Sequence, residues 1–233
     1  MIRAVAASAA LVVALLVSAP SSRAADECKG LQVCIPVEGP WVAIPAPSGL
    51  FAEADWKLVC PQGVVGGVAA RASEKAVSVD FPGLLGSPVN PGITTAGSLV
   101  FRGTYAGRAH RVTSYQPSIG CIPQKGGGGR TRVSFSPAGA VVPGSSITIR
   151  IATLEVLPGR LARASLRCKP GERLLASAHS VGLYTDHPPT AFELSAVHVI
   201  RARRGRRILA SATRAGLAAD VRVEVQVQAT CTT

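Results

Sequence analysis

Five arginines are crowded into a seven-residue stretch of the chain, Arg201, Arg203, Arg204, Arg206 and Arg207. Gly205 interrupts the run, and alternating apolar residues flank it on both sides, which is typical of a β-hairpin with a glycine turn. Clustered guanidinium groups bind phosphate or carboxylate groups through paired hydrogen bonds. The run therefore predicts a site for anionic polymers or an anionic envelope surface. The alternative is a solvated hairpin tip in a chain whose arginine content reflects codon usage.

We expect no specific nucleic-acid partner for these arginines. No nucleic-acid-binding motif accompanies them, and no aromatic side chain lies close in sequence to stack on bases. A second basic stretch, residues 124–132, is rich in glycine. It lacks the residue order and the following helix of a phosphate-binding loop, so we expect a flexible loop there.

The sequence contains no familiar catalytic pattern. Neither Gly-x-Ser-x-Gly nor His-Glu-x-x-His occurs, and the histidines are His110, His179, His187 and His198. Asp186 precedes His187, but neighbouring residues of a strand point to opposite faces, and two prolines follow, which favours an exposed turn. We expect no catalytic residue, no metal ion and no cofactor. The alternative is an enzyme whose site lies around His179, Asp186 and His187.

Six cysteines predict a disulfide framework if the chain is exported, and they are Cys28, Cys34, Cys60, Cys121, Cys168 and Cys231. Two separations are almost equal, since Cys121 follows Cys60 by 61 residues and Cys231 follows Cys168 by 63. Both first members occur in the phrase Leu-x-Cys-x-x-Gly, which indicates a duplicated module. We therefore expect these two long bridges and a small N-terminal loop closed by Cys28 and Cys34. The spacings do not match structural zinc sites.

Alternating patterns predict that these cysteines point inward from strands. Every second residue from Val221 to Cys231 is apolar, while the intervening residues are polar or charged. Trp56, Leu58 and Cys60 likewise share one face of a predicted strand. Two inward cysteines on separate strands meet across the core of an immunoglobulin-like sandwich. Trp56 is expected to pack in that core, whereas Trp41, in a proline-rich segment, is the one candidate for an exposed aromatic platform.

The fold class that follows is all-β, with two disulfide-linked antiparallel β-sandwich modules of immunoglobulin-like type that either stand apart or share one core. No sustained helical stripe occurs, so helices should be few. We place an N-terminal arm at residues 25–54, the first module at 55–136, a linker at 137–144 and the second module at 145–233. The proline-rich part of the arm is expected to lie extended along the first module.

Residues 1–24 have the features of a secretory signal peptide. A positive start is followed by an apolar run over residues 4–17 and by the small residues Ser22 and Ala24 at the −3 and −1 positions of a cleavage site after Ala24. Removing this segment takes away two arginines and no acid, so the net charge falls from +12 to +10. The expected product is a secreted, basic chain without a membrane span. Arginine outnumbers lysine 20 to five, as in chains encoded by high-GC bacterial genomes.

Several phrases resemble those of secreted proteins of high-GC actinobacteria with disulfide-linked β domains, to which no activity is attached. The phrases are Cys-Pro-Gln-Gly at residues 60–63, residues 86–95, residues 119–123 and residues 168–174. The resemblance implies a secreted β protein and no particular chemistry. We expect a non-enzymatic protein that binds polyanionic envelope or matrix components. Besides the enzyme alternative, a structural or adhesive module that binds proteins through sheet edges remains open.

Overall fold

The computed structural model describes residues 26–29, 31, 33–45, 52–81, 97–107, 113–123 and 147–233. Within them lie a 3-10 turn, Asp26–Cys28, and one short helix, α1, Ala191–Ser195. The thirteen strands of this part of the chain are β1 Ile35–Glu38, β2 Trp41–Ile44, β3 Ala52–Val59, β4 Val64–Ala72, β5 Val77–Asp80, β6 Ser98–Tyr105, β7 Thr113–Ile122, β8 Ile147–Glu155, β9 Ala162–Arg167, β10 Arg173–Tyr184, β11 Val197–Arg204, β12 Arg207–Arg214 and β13 Arg222–Thr232. No helix in the described ranges has the length and apolar character needed to cross a membrane.

The strands form one large sheet and two small ones, and every pairing is antiparallel. In the large sheet, which we call the shared sheet, β4 lies on one edge of β7, and β1 and β2 follow each other along the opposite edge. The sheet continues from β2 through β10 and β13 to β8. The first cover sheet has the order β3-β6-β5, and the second has the order β9-β12-β11. The predicted all-β class is confirmed.

The two cover sheets lie on opposite faces of the shared sheet. Directly paired residues of neighbouring strands share a face, and successive residues alternate between faces. Val42 pairs with Gly182 and faces the first cover sheet, whereas Trp41 pairs with Leu183 and faces the second. The molecule therefore has two sandwiches that share a middle layer.

Each sandwich has its own hydrophobic core. The first is built around Trp56, Phe101 and Tyr115, and the second around Leu183, Ile208 and the valines of β13. Trp56 is 1% exposed, as predicted for a core residue. The hydroxyl of Tyr115 donates a hydrogen bond to the carbonyl of Ala54 over 3.0 Å, so its polar atom is satisfied inside the apolar interior.

All three predicted disulfides are present, Cys28–Cys34, Cys60–Cys121 and Cys168–Cys231. Each long bridge joins the residue that follows a cover-sheet strand, β3 or β9, to the last residue but one of a shared-sheet strand, β7 or β13. In the chain-entropy model, a bridge closing about 60 residues restricts the unfolded state by roughly 4 kcal/mol. The bridges therefore tie each cover sheet to the middle layer.

The polar face of β13 is covered, although its alternation alone is also typical of a solvent-facing surface. Gln226 is 7% exposed, because β3 of the first cover sheet crosses it. Its side-chain amide accepts a hydrogen bond from the backbone N–H of Lys57 and donates one to the carbonyl of the same residue, each over 2.8 Å. The glutamine thus satisfies the edge of β3 as a neighbouring strand would.

The segment predicted as an N-terminal arm, residues 25–54, contributes β1, β2 and the start of β3. Its proline-rich part joins the two halves, since β2 pairs with β7 on one side and with β10 on the other. The predicted signal peptide and linker lie outside the described residues, as does the segment 124–132. The proposed domain boundaries stay predictions.

We expect Gly182→Ala to destabilise the protein by about 1–3 kcal/mol, the usual cost of overpacking. A β-carbon at this position would approach Cγ of Pro40 to 2.4 Å and Cη2 of Trp56 to 2.7 Å, and both belong to rigid rings. Gly97→Ala is the matched control, because its β-carbon would meet only a carbonyl oxygen at 3.4 Å. Chemical denaturation measures both, and equal stabilities would contradict this packing.

Candidate functional site

The second cover sheet is unusually basic. Its three strands contain seven arginines and neither aspartate nor glutamate. The first cover sheet, of similar size, contains three acidic and two basic residues. A codon bias would account for arginine in place of lysine, but it would not account for the absence of carboxylates from all three strands of one sheet.

The predicted hairpin is present at the arginine run. β11 ends at Arg204 and β12 begins at Arg207, and these two residues are paired in register. Gly205, the first turn residue, has φ of 58°, while no other residue type has a positive φ in the described chain. A positive φ at the first turn position only is the pattern of a type II′ turn, which requires glycine there.

Three of the five predicted arginines attach the hairpin to the rest of the protein through hydrogen bonds. Arg201 donates to the carbonyl of Ser177 over 2.5 Å, and Arg203 donates to the carbonyl of Leu174 over 2.6 Å. Arg206 donates to the carbonyl of Lys169 over 3.2 Å. These bonds satisfy carbonyl groups of β10 and of the loop before it. Arg201, Arg203 and Arg206 therefore have a structural role, which the sequence pattern did not distinguish.

The other two arginines belong to a row of three on the outer face. Arg204 pairs with Arg207 across the hairpin, and Arg207 pairs with Arg167 of β9. Neighbouring Cβ atoms in such a row are about 4.5–5.5 Å apart, so the three side chains span roughly 10 Å. All three are exposed, and within the described residues none has a hydrogen-bond or ion-pair partner. We call this set the arginine row.

An apolar strip lies beside the arginine row on the same face. Ile200 is 69% exposed, and it lines a shallow groove of about 480 Å³ together with Ala202 and Leu209. Arg163 borders the far side of this groove. The outer face thus has guanidinium groups on both sides of the apolar strip, the arginine row on one side and Arg163 on the other.

The electrostatics of the arginine row favour an anion. Like charges placed directly opposite on adjacent strands destabilise a sheet, and here three occur in succession. A bound phosphate, sulfate or carboxylate group would remove this repulsion and accept paired hydrogen bonds from the guanidinium groups.

Arg167 and Arg163 were missing from the sequence prediction. The register that aligns Arg167 with Arg207 is a tertiary feature, so the sequence pattern did not indicate these residues.

The structure does not bring together the residues of the predicted enzyme alternative. His179 lies in the middle of β10, on the face beneath the second cover sheet, because it pairs with Val227. Asp186 and His187 are exposed in the loop after the strand, and the end of β10 is already roughly 16 Å from His179 at strand spacing. His187 contacts the carbonyl of Pro188 at 3.0 Å, as expected of a turn residue. His179 and His187 therefore do not contribute to one site.

Trp41 was wrongly predicted as an exposed platform, since it is 5% exposed. It lies in β2 between two strands, and the guanidinium of Arg71 is 6.0 Å from its ring centroid. Prolines near Trp41 favour a surface arm in the sequence, but Pro40 and Pro45 directly flank the four-residue strand β2.

One group of potential metal ligands occurs in the described residues, formed by Cys168, Glu172 and Cys231 within 4.8 Å of one another. Both sulfur atoms are consumed in the disulfide, so the group offers no thiolate. Its carboxylate instead binds Arg150 over 2.9 Å and accepts the N–H of Lys169 over 2.6 Å. These contacts, and the hydrogen bond from Arg150 above all, lower the pKa of Glu172. The group fixes the loop that follows Arg167.

Comparison of the chain with models of known protein families, with curated proteins and with solved structures finds no match.

We expect the stability of the protein to fall as the pH decreases through the usual histidine range. Burial, assisted by the positive charge of Arg201, lowers the pKa of His179 below its usual value of 6.5. The unfolded chain therefore takes up a proton first, and the free energy of unfolding decreases until the pH passes the lower pKa of the folded state. Thermal midpoints between about pH 7.5 and about pH 5 measure this effect.

His179→Gln removes this contribution and should show a weaker pH dependence than the unmodified protein. His198→Gln is the control, because His198 is exposed on the outer face. Identical slopes for His179→Gln and the unmodified protein would contradict the assignment.

Proposed function

We propose that the chain is a secreted, non-enzymatic β-sandwich protein that binds anionic polymers of the cell envelope or extracellular matrix. The arginine row, formed by Arg167, Arg207 and Arg204, is the binding site. The observation that carries the proposal is the alignment of these three unpartnered, exposed arginines on a sheet that contains no carboxylate.

The compartment is part of the same proposal. The three disulfides suit an oxidising environment, and the apolar N-terminal segment with its small residues suits export. A protein with a net charge of +10 after removal of that segment would be drawn to the polyanions that such an environment contains.

A polymer fits the row better than a single small anion. Three guanidinium groups in a line present repeated positive charge along roughly 10 Å, which matches a ligand with repeated phosphate, sulfate or carboxylate groups. The sheet holds the backbone of all three arginines in place before binding, so the entropy lost on binding is that of the side chains and not of the backbone. Because the site is exposed, its attraction should weaken with added salt.

The triple variant Arg167→Ala/Arg204→Ala/Arg207→Ala tests the site. We expect its affinity for heparin and for polyphosphate to fall at least about tenfold, since hydrogen bonds to charged groups contribute about 1.5–3 kcal/mol each. The salt dependence of binding should also become less steep. Fluorescence titration of each polymer over a series of salt concentrations measures both quantities.

A matched control removes three charges elsewhere, through Lys29→Ala/Lys75→Ala/Arg160→Ala, all at exposed positions. This variant has the same net charge as the first, so a similar loss of affinity in both would mean that only total charge matters. Absent binding by the unmodified protein, or binding that does not depend on salt, would refute the proposal.

A further inference from the structure

The chain contains two copies of one six-strand arrangement. Adding six to a strand number in the first copy gives the corresponding strand in the second: β3-β6-β5 becomes β9-β12-β11, and the pair β4-β7 becomes β10-β13. β2 corresponds to β8 in the same way, because each pairs with the free side of β7 or β13. The long disulfides occupy equivalent positions as well.

The correspondence extends to individual residue pairs. When Cys121 is aligned with Cys231, the irregularity between Val65 and Gly67 in β4 coincides with the one between Leu174 and Ala176 in β10. Both copies therefore have one extra residue at the same position of the strand pair. This shared β-bulge defines which residues of the two copies correspond. In that register Trp41 corresponds to Thr153, and Leu183 corresponds to Glu74.

The two copies contact each other edge to edge, through β2 of the first and β10 of the second. Because the copies are equivalent, the first copy also has an edge that corresponds to the β10 edge, and the second copy has one that corresponds to the β2 edge. These remaining edges are β4 at one end of the shared sheet and β8 at the other. Within the described ranges, neither has a strand on its outer side.

The outer sides of β8 and β4 present backbone groups suitable for pairing. Val156 donates its N–H to the carbonyl of its partner Val223, and inward and outward groups alternate along an antiparallel strand. The N–H and C=O of Thr153 and Glu155 therefore point away from β13. On β4, Ser73 donates inward to Ser114, so the backbone groups of Ala72 point outward.

We propose that copies of this chain associate head to tail, with β8 of one copy pairing antiparallel to the end of β4 in the next. The pairing repeats the β2–β10 contact inside each molecule, and its register places Thr153 opposite Glu74 and Glu155 opposite Ala72. Such a contact is heterologous, because it uses two different edges. The first and last molecules of such an assembly each keep one unpaired edge. Further molecules can therefore add, and the shared sheet extends from molecule to molecule. This inference is independent of the proposed polyanion site.

Proline variants at the two edges test the proposal. Thr153→Pro and Ala72→Pro each remove one outward N–H and leave the internal ladder bonds in place. Sedimentation of the unmodified protein should show an average mass that rises with concentration, whereas each variant alone should remain a monomer. A one-to-one mixture should form dimers and nothing larger, because each variant retains the edge that the other has lost.

A cross-linking experiment checks the register without proline. Glu155→Cys and Ala72→Cys occupy exposed positions, and paired Cα atoms in a sheet lie within disulfide range. Their mixture should give a disulfide-linked dimer with a 155–72 bridge in peptide mass spectra, and Glu155→Cys alone should not. A monomeric unmodified protein at its highest soluble concentration, or a dimer formed by Glu155→Cys alone, would overturn the proposal.

Discussion

The alternation of faces along the shared sheet is the constraint on which the architecture depends. Because β10 and β13 lie between two cover sheets, both of their faces must be compatible with burial over part of their length. On one face β13 presents valines to the second core, and on the other it presents Gln226 to the backbone of Lys57. A charged residue in place of this glutamine would be buried with no equivalent pair of hydrogen bonds. Gly182 is small for the same reason, since Trp56 and Pro40 cover it.

The same constraint separates the arginines by role. Arg201 and Arg203 lie on the inner face of the hairpin, because they pair with the buried Ala210 and Ile208, and they reach carbonyl groups of the shared sheet. Arg204 has the opposite orientation and faces solvent. The disulfide of Cys168, the residue after Arg167, then fixes the end of β9 beside the hairpin. A rigid row of charges results from strand alternation, register and one covalent bond.

Much of this fold could be predicted from the sequence, because its signals are local or covalent. The strand alternations, the glycine turn and the pairing of six cysteines all follow from spacing. The register between β9 and β12 does not, so Arg167 was missed. The contact of β2 with β10 was missed too, since two pairs of residues far apart in sequence form it, and Trp41 was consequently placed on the surface. What the sequence lacked in each case was information on which strand lies beside which.

The first cover sheet shows that this architecture does not itself require unpartnered arginines. There Arg102 is paired in register with Asp55, and the two side chains form a hydrogen-bonded ion pair at 2.8 Å, with Glu53 at 3.7 Å from the same guanidinium. These contacts raise the pKa of Arg102, the hydrogen bond that it donates to Asp55 most of all. The second cover sheet has the same strand order and the same disulfide position, yet it has arginines at three successive positions of a row and no carboxylate among its strands. Since one copy of the arrangement neutralises its arginine and the other leaves its row exposed, the exposed charge is a property of the second sequence, and the proposed anionic ligand would take the place that Asp55 has in the first copy.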